Sequence, residues 1–437
     1  MLKTYFKQAW TLLRQNPLFS VLYIVGTGLA IAMTTVVAVI YCVRLAPVYP
    51  EPYRNNTVVL PSLKCLSPDG KQQWTHAFSL RALEEWAKNP KHARFSTATC
   101  LSEMSETCYI QPADRSGDFH PVTKLTDPDF FRVYPLRFIE GHPFTEADLQ
   151  GGLHKAVITD DLSRRLYGTV EGVVGRTFSL DYEQYTVCGM VRSGSYLMTA
   201  SYAQVYLPYS VVPGYDRPAT PVFPYLGSFS LTYVLADGST TDDLRAELDD
   251  VTNRLNQEHK AEFKLDLQGM PIPAWAVALG AYNGNYNTWQ MLRFFLLLMM
   301  VLLLVPALNL SGMISSRMES RLAEMGVRKS FGAGRWQLLG QVMWENLLLT
   351  LLGGVLGLVT AWAVVYAGRS WVFSLMEDYG GAVPVGVNNY VPGEVVFAPA
   401  VFLSALLLCV LLNLLSALVP AWMSLRKPIV QSLYERR

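Results

Sequence analysis

Four stretches of this chain, residues 18–43, 294–314, 347–367 and 395–423, are apolar almost throughout and carry no charged side chain in their centres. A helix needs about 20 such residues to cross the hydrocarbon of a bilayer, and each stretch reaches that length. Buried core helices do not repeat such length and freedom from charge four times over, so the stretches are read as transmembrane helices. The first is 26 residues long. It exceeds the roughly 7–15 residues of a signal-peptide core and is expected to remain as an anchor. Ahead of it, Leu2, Tyr5, Phe6, Ala9, Trp10 and Leu13 share one helical face, with Lys3, Lys7 and Arg14 elsewhere. Segment 1–17 is therefore predicted to lie along the cytoplasmic membrane surface.

Charge orients the spans. Residues 1–17 carry three bases and no acid, residues 314–341 five bases and two acids, and the tail from Arg426 four bases and one acid. The positive-inside rule makes these three segments cytoplasmic. Residues 368–396 carry one base and three acids, and residues 44–293 are also net acidic, which puts both outside. The expected architecture is membrane α-helical, with four transmembrane helices at 18–43, 291–314, 347–368 and 395–423. A large α+β extracytoplasmic domain, 44–290, is inserted between helices 1 and 2. A short outer loop covers 369–394, and 424–437 is a cytoplasmic tail. With 51% hydrophobic and 16% charged residues, the chain is neither a bare membrane bundle nor an ordinary soluble protein. Membrane lipid is the expected surrounding, and no basic patch points to nucleic acid.

Between the second and third spans lies a polar bracket, 315–346. Ile314, Met318, Leu322 and Met325 recur at helical spacing, giving one apolar face, while Arg317, Glu319, Arg321, Glu324, Arg328 and Lys329 occupy the others. Glu324 and Arg328 stand four apart with the acid first, an arrangement that supports a helix. Gly332-Ala333-Gly334 is predicted to end that helix, and a second helix to begin near Arg335 and run into the third span. Gly353 and Gly357 form a G-x-x-x-G pair in the third span, with Gly26 and Ala30 a similar pair in the first. Small residues at this spacing let helices approach closely, within one subunit or between two copies. Asn309 and Asn413 are the main polar side chains of the spans and are assigned to helix–helix hydrogen bonding.

The outer domain reads as alternating strands and helices. Strands are expected at 56–63, 95–101, 108–111, 228–235 and 262–267, and helices at 79–88 and 241–256. Two strand–helix–strand units, about 44–120 and 226–290, suggest one small split α+β domain, with 121–225 inserted as a second unit. Cys100 and Cys108 flank an expected hairpin, where a disulfide or two free packing thiols are equally open.

The run Arg321-Leu-Ala-Glu324-Met-Gly326-Val327-Arg328-Lys329-Ser-Phe-Gly332-Ala333-Gly-Arg335, followed by Gln341, Glu345 and Gly353-Gly354, resembles the signature of FtsX-type ABC transporter permeases. Asn346 stands where that family commonly has Ser. The run from Phe138 through Gly141, Gly168, Gly175 and Phe178 to Val191 is similar to the MacB-like periplasmic core domain. Pro420, Ala421, Pro428 and Leu433 match the family's closing run, and Pro420 is expected to kink the last span.

The resemblance implies a four-span permease of a MacB-like, type VII ABC system without a fused ATPase domain, in the bacterial inner membrane with its large domain in the periplasm. It implies a homodimer or heterodimer with a second permease copy and an ABC ATPase subunit docked on the bracket. A periplasmic adaptor or outer-membrane protein is a further partner class left open. Arg321, Glu324, Gly326, Val327, Arg328, Lys329, Gly332 and Ala333 become the ATPase-coupling residues. The implied work is mechanotransmission toward export of a peptide, drug or lipid-linked substrate. LolC/LolE-like lipoprotein release and FtsX-like regulation of cell-wall hydrolases are rival outcomes within the family. From another class, a membrane-anchored receptor or adhesion protein without an ATPase fits the same topology, and a plain basic loop fits the bracket.

The sequence holds no G-x-x-x-x-G-K-[ST], G-x-S-x-G, H-E-x-x-H or C-x-x-C motif. The chain is expected to be non-catalytic, with no metal or cofactor of its own. ATP and Mg are expected in the partner ATPase.

Overall fold

The computed structural model describes residues 17–86, 90–102, 108–111, 117–196, 198–281, 283–320, 322–367 and 399–426. Segments 1–16, 368–398 and 427–437 therefore lie outside the described residues, including the N-terminal amphipathic segment, the short outer loop and most of the tail. The chain divides into two compact units, one helical and one holding all the strands.

The helical unit contains α1 (Pro17–Leu45), α8 (Thr288–Ser320), α9 (Leu322–Ser330), α10 (Arg335–Ala367) and α11 (Pro399–Arg426). Among the described residues, three stretches are long and apolar enough to cross a membrane: Pro17–Val39, Arg335–Ala367 and Phe402–Met423. The second apolar run falls within α8, where the stretch that stands out by composition is the shorter Thr288–Leu302.

Glycine sets the contact between α1 and α10. A Cβ on Gly357 would lie 2.6 Å from the Gly28 carbonyl oxygen and 2.9 Å from Ile31 Cβ. One on Gly353 would lie 2.9 Å from Thr27 Cβ and 3.1 Å from the Ile24 carbonyl oxygen. The G-x-x-x-G pair thus packs inside the subunit, where small residues bring backbones together. Its neighbours on α1 are Ile24, Thr27, Gly28 and Ile31. Gly26 is half-buried and Ala30 is buried elsewhere on the helix.

Polar side chains tie the same helices. Tyr23 Oη lies 3.2 Å from Thr350 Oγ1, and Asn413 Nδ2 donates to that hydroxyl at 3.5 Å. One threonine therefore joins α1, α10 and α11. The Asn309 side chain is outside the description. Pro420 sits inside α11, which continues to Arg426. Having no N–H, it leaves the Ser416 carbonyl without its helical donor. Ser311 Oγ of α8 donates to that carbonyl at 3.1 Å. In an apolar medium such a replacement satisfies a group that water cannot reach.

In the other unit the strands form one 15-stranded sheet among the described residues. They are β1 (Thr57–Leu60), β2 (Leu63–Leu66), β3 (Gln73–Phe78), β4 (Ala93–Cys100), β5 (Ile110–Gln111), β6 (Thr123–Thr126), β7 (Phe138–Gly141), β8 (Lys155–Thr159), β9 (Thr177–Leu180), β10 (Glu183–Val191), β11 (Val205–Pro208), β12 (Leu226–Gly227), β13 (Phe229–Leu235), β14 (Lys264–Asp266) and β15 (Ile272–Pro273). The intervening helices are α2 (Leu80–Trp86), α3 (Phe130–Val133), α4 (Glu146–Gln150), α5 (Asp160–Tyr167), α6 (Thr241–Glu258) and α7 (Ala274–Ala278).

Sequence-distant strands share a half: β13 pairs with β1 on one side and β4 on the other, and β1 pairs with β15. Ser79 caps α2, accepting from the Ala82 N–H at 3.2 Å. Thr240 and Asp243 form a capping box at α6, one residue ahead of the expected start.

The second half is built on β10, which pairs with β7, β8 and β9. The β4–β6 pairing joins the halves, and Asp127 sits at the corner. It accepts from Thr97 Oγ1 at 2.6 Å, the Ala98 N–H at 2.8 Å and the Phe130 N–H at 3.1 Å. Ahead of β1 in the sequence, the buried Glu51 pairs with Arg54 at 2.7 Å and accepts from Ser201 Oγ at 2.6 Å.

Two expectations change here. Strand β5 pairs with β9, so residues 110–111 belong to the second half rather than to 44–120. The Cys100–Cys108 hairpin does not form, because β4 pairs with β13 and β6 instead. Both thiols are free and buried.

Two outcomes follow. Alanine at Gly357 would meet a backbone carbonyl. It is expected to cost about 1–3 kcal/mol and lower the melting temperature of the detergent-solubilised protein. At Gly354, an added Cβ meets only the flexible end of Leu406, at 2.5 Å, and alanine there should shift the melting temperature much less. Equal shifts would refute the close contact. Separately, burial pushes the Cys100, Cys108 and Cys188 thiols up to about 11 and Cys65 up to about 12. All four should resist alkylation at about pH 8 until the domain unfolds, as read by mass spectrometry.

Candidate functional site

The bracket is built by two local stop-and-start signals. Helix α9 ends in a Schellman motif at Gly332, whose φ of +91° favours glycine. The Ala333 N–H reaches the Arg328 carbonyl at 3.0 Å, and the Gly332 N–H reaches the Lys329 carbonyl at 3.0 Å. Helix α10 then starts at Arg335. Gly334 stands at its N-cap, and Gln337 Oε1 accepts from the Gly334 N–H at 3.2 Å. This is the returning half of a capping box. Four residues, two of them glycines, therefore separate α9 from α10.

One face of the bracket is buried. Ile314, Met318 and Met325 pack in one cluster with Tyr23, Leu338, Leu339, Val342, Leu349, Ala417 and Ala421. Ala333 packs against the same cluster. Gly326 is also buried and lies inside α9. The turn is at Gly332–Gly334, where the sequence places the break. Arg321 and the side chain of Leu322 lie outside the described residues.

The opposite face is exposed and mixed in character. Phe331 is 88% exposed and Val327 45%, four residues apart, and both project with Glu324. Glu324 and Arg328 form an ion pair of 2.6 Å. Burial, and next the Arg335 charge, hold the Lys329 ammonium below its usual value. Trp336 is exposed and lies 5.2 Å, ring to ring, from Trp422. Arg328 also turns inward: Nη1 donates to Gln341 Oε1 at 2.6 Å, and Gln341 Nε2 donates to Glu345 Oε1 at 3.1 Å. Gln341 and Glu345 are 8% and 5% exposed.

The structure thus brings Glu324, Val327, Arg328 and Lys329 onto one short helix that Gly332 and Ala333 terminate. Sequence reasoning passed over Phe331, although its i,i+4 relation to Val327 on the polar side of an amphipathic helix was a usable signal. It also gave no role to Gln341, whose contact with Arg328 depends on the fold across the turn. Among the described residues, no group of three His, Cys, Asp or Glu side chains could hold a metal ion.

Comparison with known proteins places these features. The family described as MacB-like periplasmic core domain matches residues 20–251, and the FtsX-like permease C-terminal family matches residues 295–429. An uncharacterized ABC transporter permease, YknZ of Bacillus subtilis, is 21% identical over 307 residues, covering 67% of this chain and 71% of its own. The macrolide export ATP-binding/permease protein MacB of Escherichia coli K12 is 24% identical over 297 residues, covering 67% of this chain but 40% of its own. Among solved structures, the periplasmic region of MacB from Actinobacillus actinomycetemcomitans aligns over 49% of this chain and 89% of its own, at 15% identity and a TM-score of 0.32. With one family spanning more than half of the sequence and a second most of the remainder, the chain belongs to the FtsX-like ABC transporter permeases that carry a MacB-like periplasmic core domain.

Proposed function

We propose that this chain is the transmembrane permease subunit of an ATP-driven MacB-like system, and that its bracket is the seat of a separate ATPase subunit. The observation that carries this is the two-sided bracket. One face is fixed in the core of the helical unit, and the other presents Phe331, Val327 and the Glu324–Arg328 pair outward. An exposed aromatic flanked by charge is what a protein partner would bury as an anchor. ATP and its Mg²⁺ would be held by that partner, and this chain would supply no catalytic group. A second permease copy completes the proposed assembly.

In this reading α1, α8, α10 and α11 span the bacterial inner membrane, with the bracket and both termini in the cytoplasm and the sheet unit in the periplasm. The sheet unit is suited to receive motion. The chain runs from α1 into β1 and returns to α8 after β15. Those two strands pair with each other, with Val59 opposite Ile272, and β1 pairs with β13. Displacement of either helix end would therefore reach the same central strand. The substrate class is a peptide, drug or lipid-linked molecule handled on the outer side.

Two measurements test this. In intact spheroplasts, an impermeant thiol reagent should label Asp237→Cys and leave Ser330→Cys unlabelled, and the reverse pattern would overturn the orientation. Phe331→Ser and Glu324→Lys should leave the chain folded, since an exposed ion pair is worth about 0–1 kcal/mol. Co-purification of the ATPase should nevertheless fall, by roughly tenfold for each 1.4 kcal/mol of docking energy lost. Wild-type ATPase recovery with both variants would reduce the bracket to a basic loop.

A further inference from the structure

The link between α9 and α10 is short but contains Gly332 and Gly334, and glycine leaves a backbone free to pivot. A lever built on such a link transmits force only if something else bridges its two arms. The Glu324–Arg328 pair cannot, because both residues belong to α9. Met325 of α9 shares an apolar cluster with Leu338, Leu339 and Val342 of α10, and the polar bridge beside it is Gln341. Its amide oxygen accepts from Arg328 of α9 and its amide nitrogen donates to Glu345, one turn further along α10. We propose that Gln341 is a positioning residue that latches the bracket to the base of α10, so that force on α9 turns the third span instead of bending the glycine link.

The chemistry at this position is restrictive. The side chain must accept toward a guanidinium and donate toward a carboxylate at once, and among side chains of this length only the amide does both. A glutamate would set two carboxylates against each other, and a methionine would satisfy neither partner. A hydrogen bond from a cationic donor is stronger than a neutral one, and leaving buried polar groups unmade is costly. Losing these bonds would leave the buried Gln341 amide without its partners. Beyond it on α10, Thr350 meets Tyr23 of α1 and Asn413 of α11. A rotation of α10 would thus be felt by α1, the helix that leads into β1.

This inference rests on the coupling reading above, and the experiment separates the two. Spin labels on Val327→Cys and Trp344→Cys, both exposed positions on α9 and α10, report the angle of the link in the full chain in nanodiscs. The distance distribution should be narrow with Gln341 and at least about twice as wide in Gln341→Met and in Gln341→Asn, whose amide is one methylene short of bridging. Glu345→Gln keeps an acceptor oxygen toward Nε2 and should stay narrow. In unlabelled complexes with the ATPase that co-purifies, Gln341→Asn should still bind while stimulated turnover falls by about tenfold, equivalent to about 1.4 kcal/mol of coupling. A narrow distribution in both Gln341 variants overturns the latch whatever the ATPase does. Broadening without loss of turnover overturns its part in coupling. If no ATPase binds the wild-type chain, the coupling reading fails, and the distance widths still decide whether the latch exists.

Discussion

The helical unit depends on one close approach, that of α1 to α10 at Gly28, Gly353 and Gly357. In lipid, apolar side chains gain little by leaving one apolar surrounding for another, so helix association rests on tight packing and on polar groups that find partners. Glycine supplies the first by letting the Gly28 carbonyl lie where a Cβ on Gly357 would otherwise stand. Thr350 supplies the second, between Tyr23 and Asn413. The Ser311 hydroxyl, filling the place of the donor that Pro420 lacks, follows the same rule. The Thr350 and Ser311 contacts both give polar groups partners away from water.

The bracket works under a different constraint. It must leave an apolar core, turn sharply and return within a few residues. The Schellman stop at Gly332 and the glycine cap at Gly334 give the turn, and Ile314, Met318 and Met325 hold the inner face. Both glycines that make the turn also leave its backbone freer than other residues would. Across the turn, Arg328 donates to Gln341, which donates in turn to Glu345. The family to which the chain belongs is one of ABC transporter permeases.

The sheet unit answers a third constraint, the joining of segments far apart in sequence. Strand β13 arrives more than 120 residues after β4 yet pairs with it through seven positions. Asp127 then fixes the corner between halves by accepting three hydrogen bonds, two from β4 and one from the first turn of α3. Because β1 and β15 pair, the points at which the chain enters and leaves this unit are adjacent on its sheet.

Much of this was legible in the residues themselves. The apolar runs, the end of α9 at Gly332, the start of α10 at Arg335, the Glu324–Arg328 pair and the cap at Ser79 are local. Each depends on spacing within a few residues or on length against a bilayer, and such terms do not need the rest of the fold. Contacts between segments were not legible. Sequence spacing picked out Gly353 and Gly357, but not that Gly28 would be their neighbour, because which helix face meets which is set by packing of the whole bundle. It expected a hairpin between Cys100 and Cys108, whereas the edges of β4 were already taken by β13 and β6. It noted Gln341 without a role, because the acceptor for Arg328 lies across a turn whose closure only the packed core enforces. Local propensity determined where the elements begin and end. Tertiary structure decided which polar groups, small residues and strand edges would meet, since those choices depend on what is left unsatisfied once the elements pack.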